Sequence, residues 1–499
     1  MAQPDNTRTI AHNTFWYSVE MLFGFLGALI APILVARVMG PARLGYFSYM
    51  VVLTNFTAGV GAYGLPVTTR KYMAEYLNRG QAGLARSIYW LNFRLQMGIA
   101  AVLTTAALAL VFAAGDPSQR AISVLLVLSI APRMMGFVPS QANNAAESMR
   151  RNTGPSLVGG LVTVSLTLVS LWVGWDLPGV AASMIAGPAV EAVLKIMSVR
   201  TWLRAEPEPI PDALRRQMWI YSGHGIALML LNVVVWDRSD VLFLKWLNHD
   251  PAQITFFSTA FNLTERLLQI PTAFASSVGV TMMAQYGRGQ EKVKAMTVEG
   301  ARYAFLIAVP LLVGAACVGG PAVVLIYGER FRPMVPVLSL VALLAIPKAL
   351  SNAPTQLLQT TANQGFLVAC GCCFGAVDIG LDILLTPKYG AIGAAIANGT
   401  AQTLAAVAVW IYVYRRFELN LRLGSFARIA IAAIGLAAAA VAVRQVVVAV
   451  AAGAAAWFVL LRVTRALDGA DRQRLINIGR SAPARLQPLW NSCVDLVAP

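Results

Sequence analysis

Charge is scarce in this chain. Only 12% of its 499 residues are Asp, Glu, Lys or Arg, against about 25% in soluble globular domains. There are three histidines (His12, His224 and His249), and they are scattered. Five cysteines (Cys317, Cys370, Cys372, Cys373 and Cys493) lie mostly in apolar runs and follow no disulfide or zinc-ligand spacing, so they read as small packing residues. The longest polar connections run about 14–20 residues, too short for a soluble catalytic lobe. No small-residue cleavage site follows the first apolar run, so no cleaved leader is expected. These shortages exclude a soluble enzyme, a disulfide scaffold and a zinc module.

What the chain has in excess is hydrocarbon: 57% hydrophobic residues and a mean hydropathy of +0.63. About twenty apolar residues cross a bilayer as helix. Fourteen such runs are expected near 14–36, 44–67, 88–113, 121–142, 156–175, 179–199, 218–245, 254–284, 303–327, 334–358, 366–385, 390–414, 428–443 and 446–463. The chain is therefore expected to be an all-α polytopic membrane protein. Its net charge of +16 follows this topology rather than marking a nucleic-acid surface. With helix-end residues counted on the side they flank, 26 Lys and Arg fall on the N-terminal side of the membrane and 8 on the other. Basic segments stay in the cytoplasm, so both termini are placed there.

The chain repeats itself. Pro41, Ala42, Phe47, Ser48, Met73, Ala74 and Tyr76 recur at an offset of 210 as Pro251, Ala252, Phe257, Ser258, Met283, Ala284 and Tyr286. Arg79-Gly80-Gln81 recurs as Arg288-Gly289-Gln290 at an offset of 209. Between the copies runs a Pro- and charge-rich linker, Arg204-Ala-Glu-Pro-Glu-Pro-Ile-Pro-Asp212. Six crossings precede it and six follow, which predicts two parallel six-helix repeats. The expected lobes are residues 1–210 and 211–420. Residues 421–499 supply two further helices and a basic cytoplasmic tail, in which Leu486, Leu489, Trp490 and Val494 could form a surface-lying turn.

A charge at bilayer depth costs at least about 2.5–3.5 kcal/mol, which makes each one a functional candidate. Glu20, Arg94, Arg133, Glu191, Asp237, Arg238, Asp240, Glu265, Arg266, Lys348, Asp378 and Asp382 all qualify. Arg94, Arg133 and Glu191 sit where long side chains could snorkel to a helix end. Asp237, Arg238 and Asp240 could be solvated or paired with one another. Thr255, Ser258, Asn262, Arg266 and Gln269 recur every three or four residues and form one polar stripe on a helix. Such a stripe faces either a neighbouring helix or a wet cavity, and Glu265 beside it could pair with Arg238 or line that cavity. Gly371, Gly375, Asp378 and Asp382 share one face, where two carboxylates a turn apart either hold a cation or proton or make a hydrogen-bonded helix contact.

Val35-Ala-Arg-Val-Met-Gly-Pro-Ala-Arg-Leu-Gly45 resembles the N-terminal signature of oligosaccharide flippases of the multidrug/oligosaccharidyl-lipid/polysaccharide exporter superfamily. Leu385-Thr-Pro-Lys-Tyr-Gly-Ala-Ile-Gly-Ala-Ala-Ile-Ala397 is similar to that family's hairpin between helices 11 and 12. Ile326-Tyr-Gly-Glu-Arg-Phe331 is similar to its loop after helix 9, and Leu177-Pro-Gly-Val-Ala-Ala182 is a weaker counterpart of the hairpin in the first half. The resemblance spans about residues 10–420. It implies transport of a polyprenyl-pyrophosphate-linked oligosaccharide across a bacterial inner membrane, no cofactor, and no catalysis. Membrane lipids, a coupling H+ or Na+, and a polysaccharide polymerase with its export machinery would be the partners. Arginine offers forked donors to a pyrophosphate, so Arg266, Arg238 and Lys348 are the expected head-group contacts, with Asn262 and Gln269 beside them and Arg37 and Arg70 as first contacts. Asp378, Asp382 and Glu265 are the expected coupling residues. A drug or cation antiporter of the same superfamily is the alternative, and a membrane glycan polymerase or glycosyltransferase a more distant one.

Overall fold

A computed structural model describes residues 30–473 except 63, 233–238, 249, 286–289, 362, 422, 444, 468 and 470, together with single positions 23, 24, 27 and 476. Arg238, Asp237, Glu20 and the tail residues Leu486, Leu489, Trp490 and Val494 lie outside the described residues. So do Tyr286, Arg288 and Gly289 of the repeat.

The described chain is nearly all helix, in two compact units, Met1–Arg238 and Ser239–Pro499. The first holds α1 (Ile30–Met39), α2 (Pro41–Ala62), α3 (Gly64–Asn78), α4 (Ala82–Ala114), α5 (Arg120–Leu128), α6 (Ile130–Ala145), α7 (Arg150–Val173), α8 (Asp176–Trp202) and α9 (Asp212–Asn232). The second holds α10 (Ser239–Leu247), α11 (Pro251–Gln285), α12 (Gln290–Tyr327), α13 (Met334–Leu344), α14 (Ile346–Thr360), α15 (Gln364–Tyr389), α16 (Ala391–Phe417), α17 (Leu423–Val441) and α18 (Val446–Val463). Among the described residues, ten helices are long and apolar enough to cross a bilayer, or eleven if the bent pair α2 and α3 is one span. Large apolar side chains such as Leu110, Trp172, Ile434 and Val447 stand exposed along them, as a lipid-facing surface requires.

In the first unit, Met73, Ile88, Tyr89, Val138, Val199 and Met218 join α3, α4, α6, α8 and α9 in one core. The compact units divide at 238/239, whereas the Pro-rich linker had suggested a boundary at 210. The reason is the docking of α9 on α3, where the hydroxyls of Thr68 and Ser222 lie 2.6 Å apart and the rings of Tyr72 and Tyr221 meet edge to face. Nor does the linker hang free. Arg86 donates to the carbonyl of Ala205 (2.7 Å), and the Glu208 amide donates to that of Gly83 (3.3 Å). Within the same unit, α7 and α8 approach closely because Gly159 and Gly187 face each other: a Cβ on Gly187 would lie 1.8 Å from the Thr163 hydroxyl.

In the second unit, Leu268, Ala308, Leu312, Ala345 and Ala349 join α11, α12 and α14. The hairpin of α17 and α18 packs on α12 through Val309, Ile429, Leu436, Trp457 and Leu461. The turn between α15 and α16 corrects an expectation. The expected run ended at residue 385, before Thr386-Pro387, yet α15 continues through them to Tyr389. A proline forfeits one backbone hydrogen bond, here within the last turn of the helix. The reversal falls on Gly390, at φ 53° and ψ −129°, where Gln253 of α11 accepts the Ala391 amide (3.0 Å) and so caps α16.

Candidate functional site

Most of the candidate side chains lie in the second unit. Asp378 and Asp382 share the buried face of α15 with Gly371 and Gly375, as their spacing predicted. The structure adds Asp240 from α10. One oxygen from each of the three carboxylates lies within 4.8 Å of the others, and all three residues are at most 2% exposed. Asn398 of α16 donates to Asp240 (3.1 Å), Gln402 donates to Asn398 (2.6 Å), and the Thr386 hydroxyl donates to Asp382 (3.0 Å). One oxygen each of Asp240, Asp378 and Asp382 is left without a hydrogen-bond donor. Three carboxylates so close in a dry interior cannot all keep their charge unaided. Protons or a small hard cation would relieve them, and an all-oxygen donor set suits the latter.

Glu265 is held by Lys348, whose ammonium donates to its carboxylate at 2.7 Å across 83 positions of sequence. The expected alternative partner, Arg238, is outside the described residues. Both members of the pair are about one-third exposed, so the pair is accessible to polar ligands. Next to Glu265 on α11 comes Arg266. It is half-buried, and no carboxylate among the described residues pairs with it. The polar stripe on α11 grades along its length: Thr255 and Ser258 are buried, while Asn262, Arg266 and Gln269 are half-buried. Ser258 is satisfied locally, by the carbonyl of Ile254 at 2.7 Å.

In the first unit, Arg37 of α1 and Arg70 of α3 are exposed. Glu191 does not lie at a helix end. It sits in the middle of α8, about three helical turns from the nearer end, paired with the buried Lys195 (2.6 Å) and accepting from Ser156 (2.9 Å). A further pair escaped sequence reasoning. Arg302, near the start of α12, is buried against Asp471, to which Tyr303 also donates. Both segments read from sequence as loosely basic cytoplasmic stretches, and nothing in either announced the other.

Residues 34–336, more than half of the chain, match the polysaccharide biosynthesis protein family. The chain belongs to that family. The match runs from α1 into α13, so it takes in the α11 stripe with Glu265 and Arg266 but stops short of Lys348, Asp378 and Asp382. A curated relative, the probable flippase AglR of Haloferax volcanii, is 26% identical over 160 residues, covering 31% of this chain and 33% of AglR. The alignment thus spans about a third of that protein's length. Among solved structures, the lipid II flippase MurJ in an inward closed conformation superposes with a TM-score of 0.71 at 13% identity, covering 89% of this chain and 97% of MurJ. An inward-facing multidrug resistance transporter of the MATE family gives 0.66 at 13% identity, over 80% and 94%. At that identity the likeness shows the fold: this member of the polysaccharide biosynthesis protein family is a multi-pass membrane protein that shares the helical architecture of these two proteins.

Proposed function

We propose that this protein carries a polyprenyl-pyrophosphate-linked oligosaccharide from the cytoplasmic to the periplasmic leaflet of a bacterial inner membrane, for surface or exopolysaccharide synthesis. The observation that carries this reading is Arg266, a half-buried guanidinium midway along a 35-residue helix with no carboxylate paired to it among the described residues. An unneutralised cation at that depth is costly unless it meets water or an anion. A pyrophosphate is the anion whose paired oxygens a guanidinium fork fits. Lys348 adds a second cation, exchangeable because Glu265 holds it in a partly exposed pair. Arg37 and Arg70, both exposed, would meet the head group first. Asn262 and Gln269 on the same stripe would take sugar or phosphate hydrogen bonds.

The prenyl tail needs an apolar surface. A groove of about 980 Å³ between α12 and the α17–α18 hairpin, walled by Leu325, Val441, Val446 and Val447 with Glu329 and Arg332 at its margin, offers one. Transport would proceed by alternating access, with the head-group site open to one side of the membrane at a time. Asp240, Asp378 and Asp382 would take up H+ or Na+ to bias the cycle, since only a ligand that prefers one state can shift it.

A cell lacking its own copy, complemented with the Arg266→Ala protein at matched membrane level, should export no lipid-linked glycan. Wild-type export would remove Arg266 from the mechanism. The acidic cluster also favours a second reading, a drug or cation antiporter. Resistance to lipophilic cations conferred by the wild-type protein, with glycan export unchanged by its deletion, would establish that reading instead.

A further inference from the structure

A line of polar side chains leads from the acidic cluster toward the Lys348–Glu265 pair. From Asp240 it runs to the side-chain amide of Asn398 (3.1 Å) and from there to that of Gln402 (2.6 Å). Both amides are at most 7% exposed, so neither is held there by bulk water. Beyond Gln402 lies a cavity of about 10 Å³ whose wall includes Gln402, Asn398, Thr264 and Glu265. That is room for one water molecule, and those four side chains offer the two to four partners that a buried water requires. Glu265, on the same wall, holds Lys348.

The polarity of the path matters. Asn398 and Gln402 both donate toward Asp240, so the charge on the cluster keeps the two amides aligned and leaves the carbonyl end of Gln402 for a water in the cavity. Amides do not conduct protons, so the path transmits charge rather than carrying it. When the cluster is neutralised, nothing holds the amides in that sense. Gln402 can then turn a donor toward the water; a water that accepts there donates more strongly to Glu265, whose carboxylate is then less available to Lys348.

We propose that Asn398, Gln402 and one water in this cavity link the acidic cluster to the Lys348–Glu265 pair, so that neutralising the cluster releases Lys348 to an anionic head group. The use made of the link rests on the functional reading above, in which the cluster takes up a cation and Lys348 meets phosphate. The link itself is a property of the protein alone and can be tested without substrate.

The test reads the reactivity of Lys348. The full-length protein in detergent is treated with a water-soluble acetylating ester, and the rate at Lys348 is followed by mass spectrometry. Asp240→Asn removes, at constant shape, the carboxylate that accepts from Asn398. It should raise the Lys348 rate about fivefold, the lower end of ordinary coupling between sites. In a Gln402→Leu background the same substitution should leave the rate unchanged, and Gln402→Met should do likewise if the leucine protein folds poorly. An equal rise with leucine or methionine at 402 would mean that charge acts directly through space, and no rise or a fall with Gln402 present would mean that there is no link. Either result overturns the proposal. A positive cycle in a protein whose Arg266→Ala variant still exports glycan would leave the link standing and remove its assigned use.

Discussion

Removing Asp471 tests how the C-terminal segment is held. Arg302 and Asp471 are 5% and 1% exposed at their side chains, and the same carboxylate takes the hydroxyl of Tyr303. Asp471→Ala would leave a buried guanidinium without this counter-charge and take one acceptor from the Tyr303 hydroxyl. Breaking a buried pair from one side costs about 3–5 kcal/mol. For a compact unit of this size each kcal/mol lowers the melting temperature by about 2–4 °C, so a fall of about 10 °C is expected in tryptophan-fluorescence melting of the purified protein. The double variant Arg302→Met/Asp471→Leu separates charge from packing. Replacing both partners by apolar side chains of similar volume is often neutral, so it should melt within about 3 °C of the wild type. If Asp471→Ala melts like the wild type, or if the double variant is as unstable as the single, then the buried charge is not what holds this segment to α12.

Three further outcomes follow from the same geometry. Lys348→Met should reduce glycan export at least about tenfold while shifting the melting temperature little, because a pair this exposed contributes only about 0–1 kcal/mol to stability; a large melting shift with normal export would reverse the assignment. Gly390→Ala should destabilise by about 1–3 kcal/mol, measured by melting, since φ is 53° there and a Cβ would lie 2.7 Å from Gln253 Oε1. Asp378→Asn should remove the dependence of export on a Na+ or H+ gradient, measured in inverted vesicles, and an unchanged gradient dependence would exclude the cluster from coupling.

What could be read from the chain alone was whatever repeats within one helix. The α11 stripe and the shared face of Asp378 and Asp382 both follow from positions three or four apart, and the structure keeps both on helices. Contacts between helices were not legible. Asp240 was noticed only as a costly charge, because its partners lie about 140 positions later on α15, and a single sequence gives no register between α10 and α15. Lys348 and Glu265 were both singled out, yet for different roles, and only the packing of α11 against α14 reveals them as a pair. The end of α15 was misplaced because the helix continues through Pro387, and Gly390, at positive φ three residues on, sets the turn. Arg302 and Asp471 carried no signal, since each sits in a segment whose neighbours are solvated charges.

The most direct measurement is flipping by the purified protein. Liposomes carrying the protein and a prenyl-pyrophosphate-linked oligosaccharide in one leaflet would be probed with a membrane-impermeant glycosidase. The account predicts that glycan becomes accessible from the opposite side with the wild-type protein, and at the protein-free rate with Arg266→Ala. Equal flipping by the two proteins would contradict it.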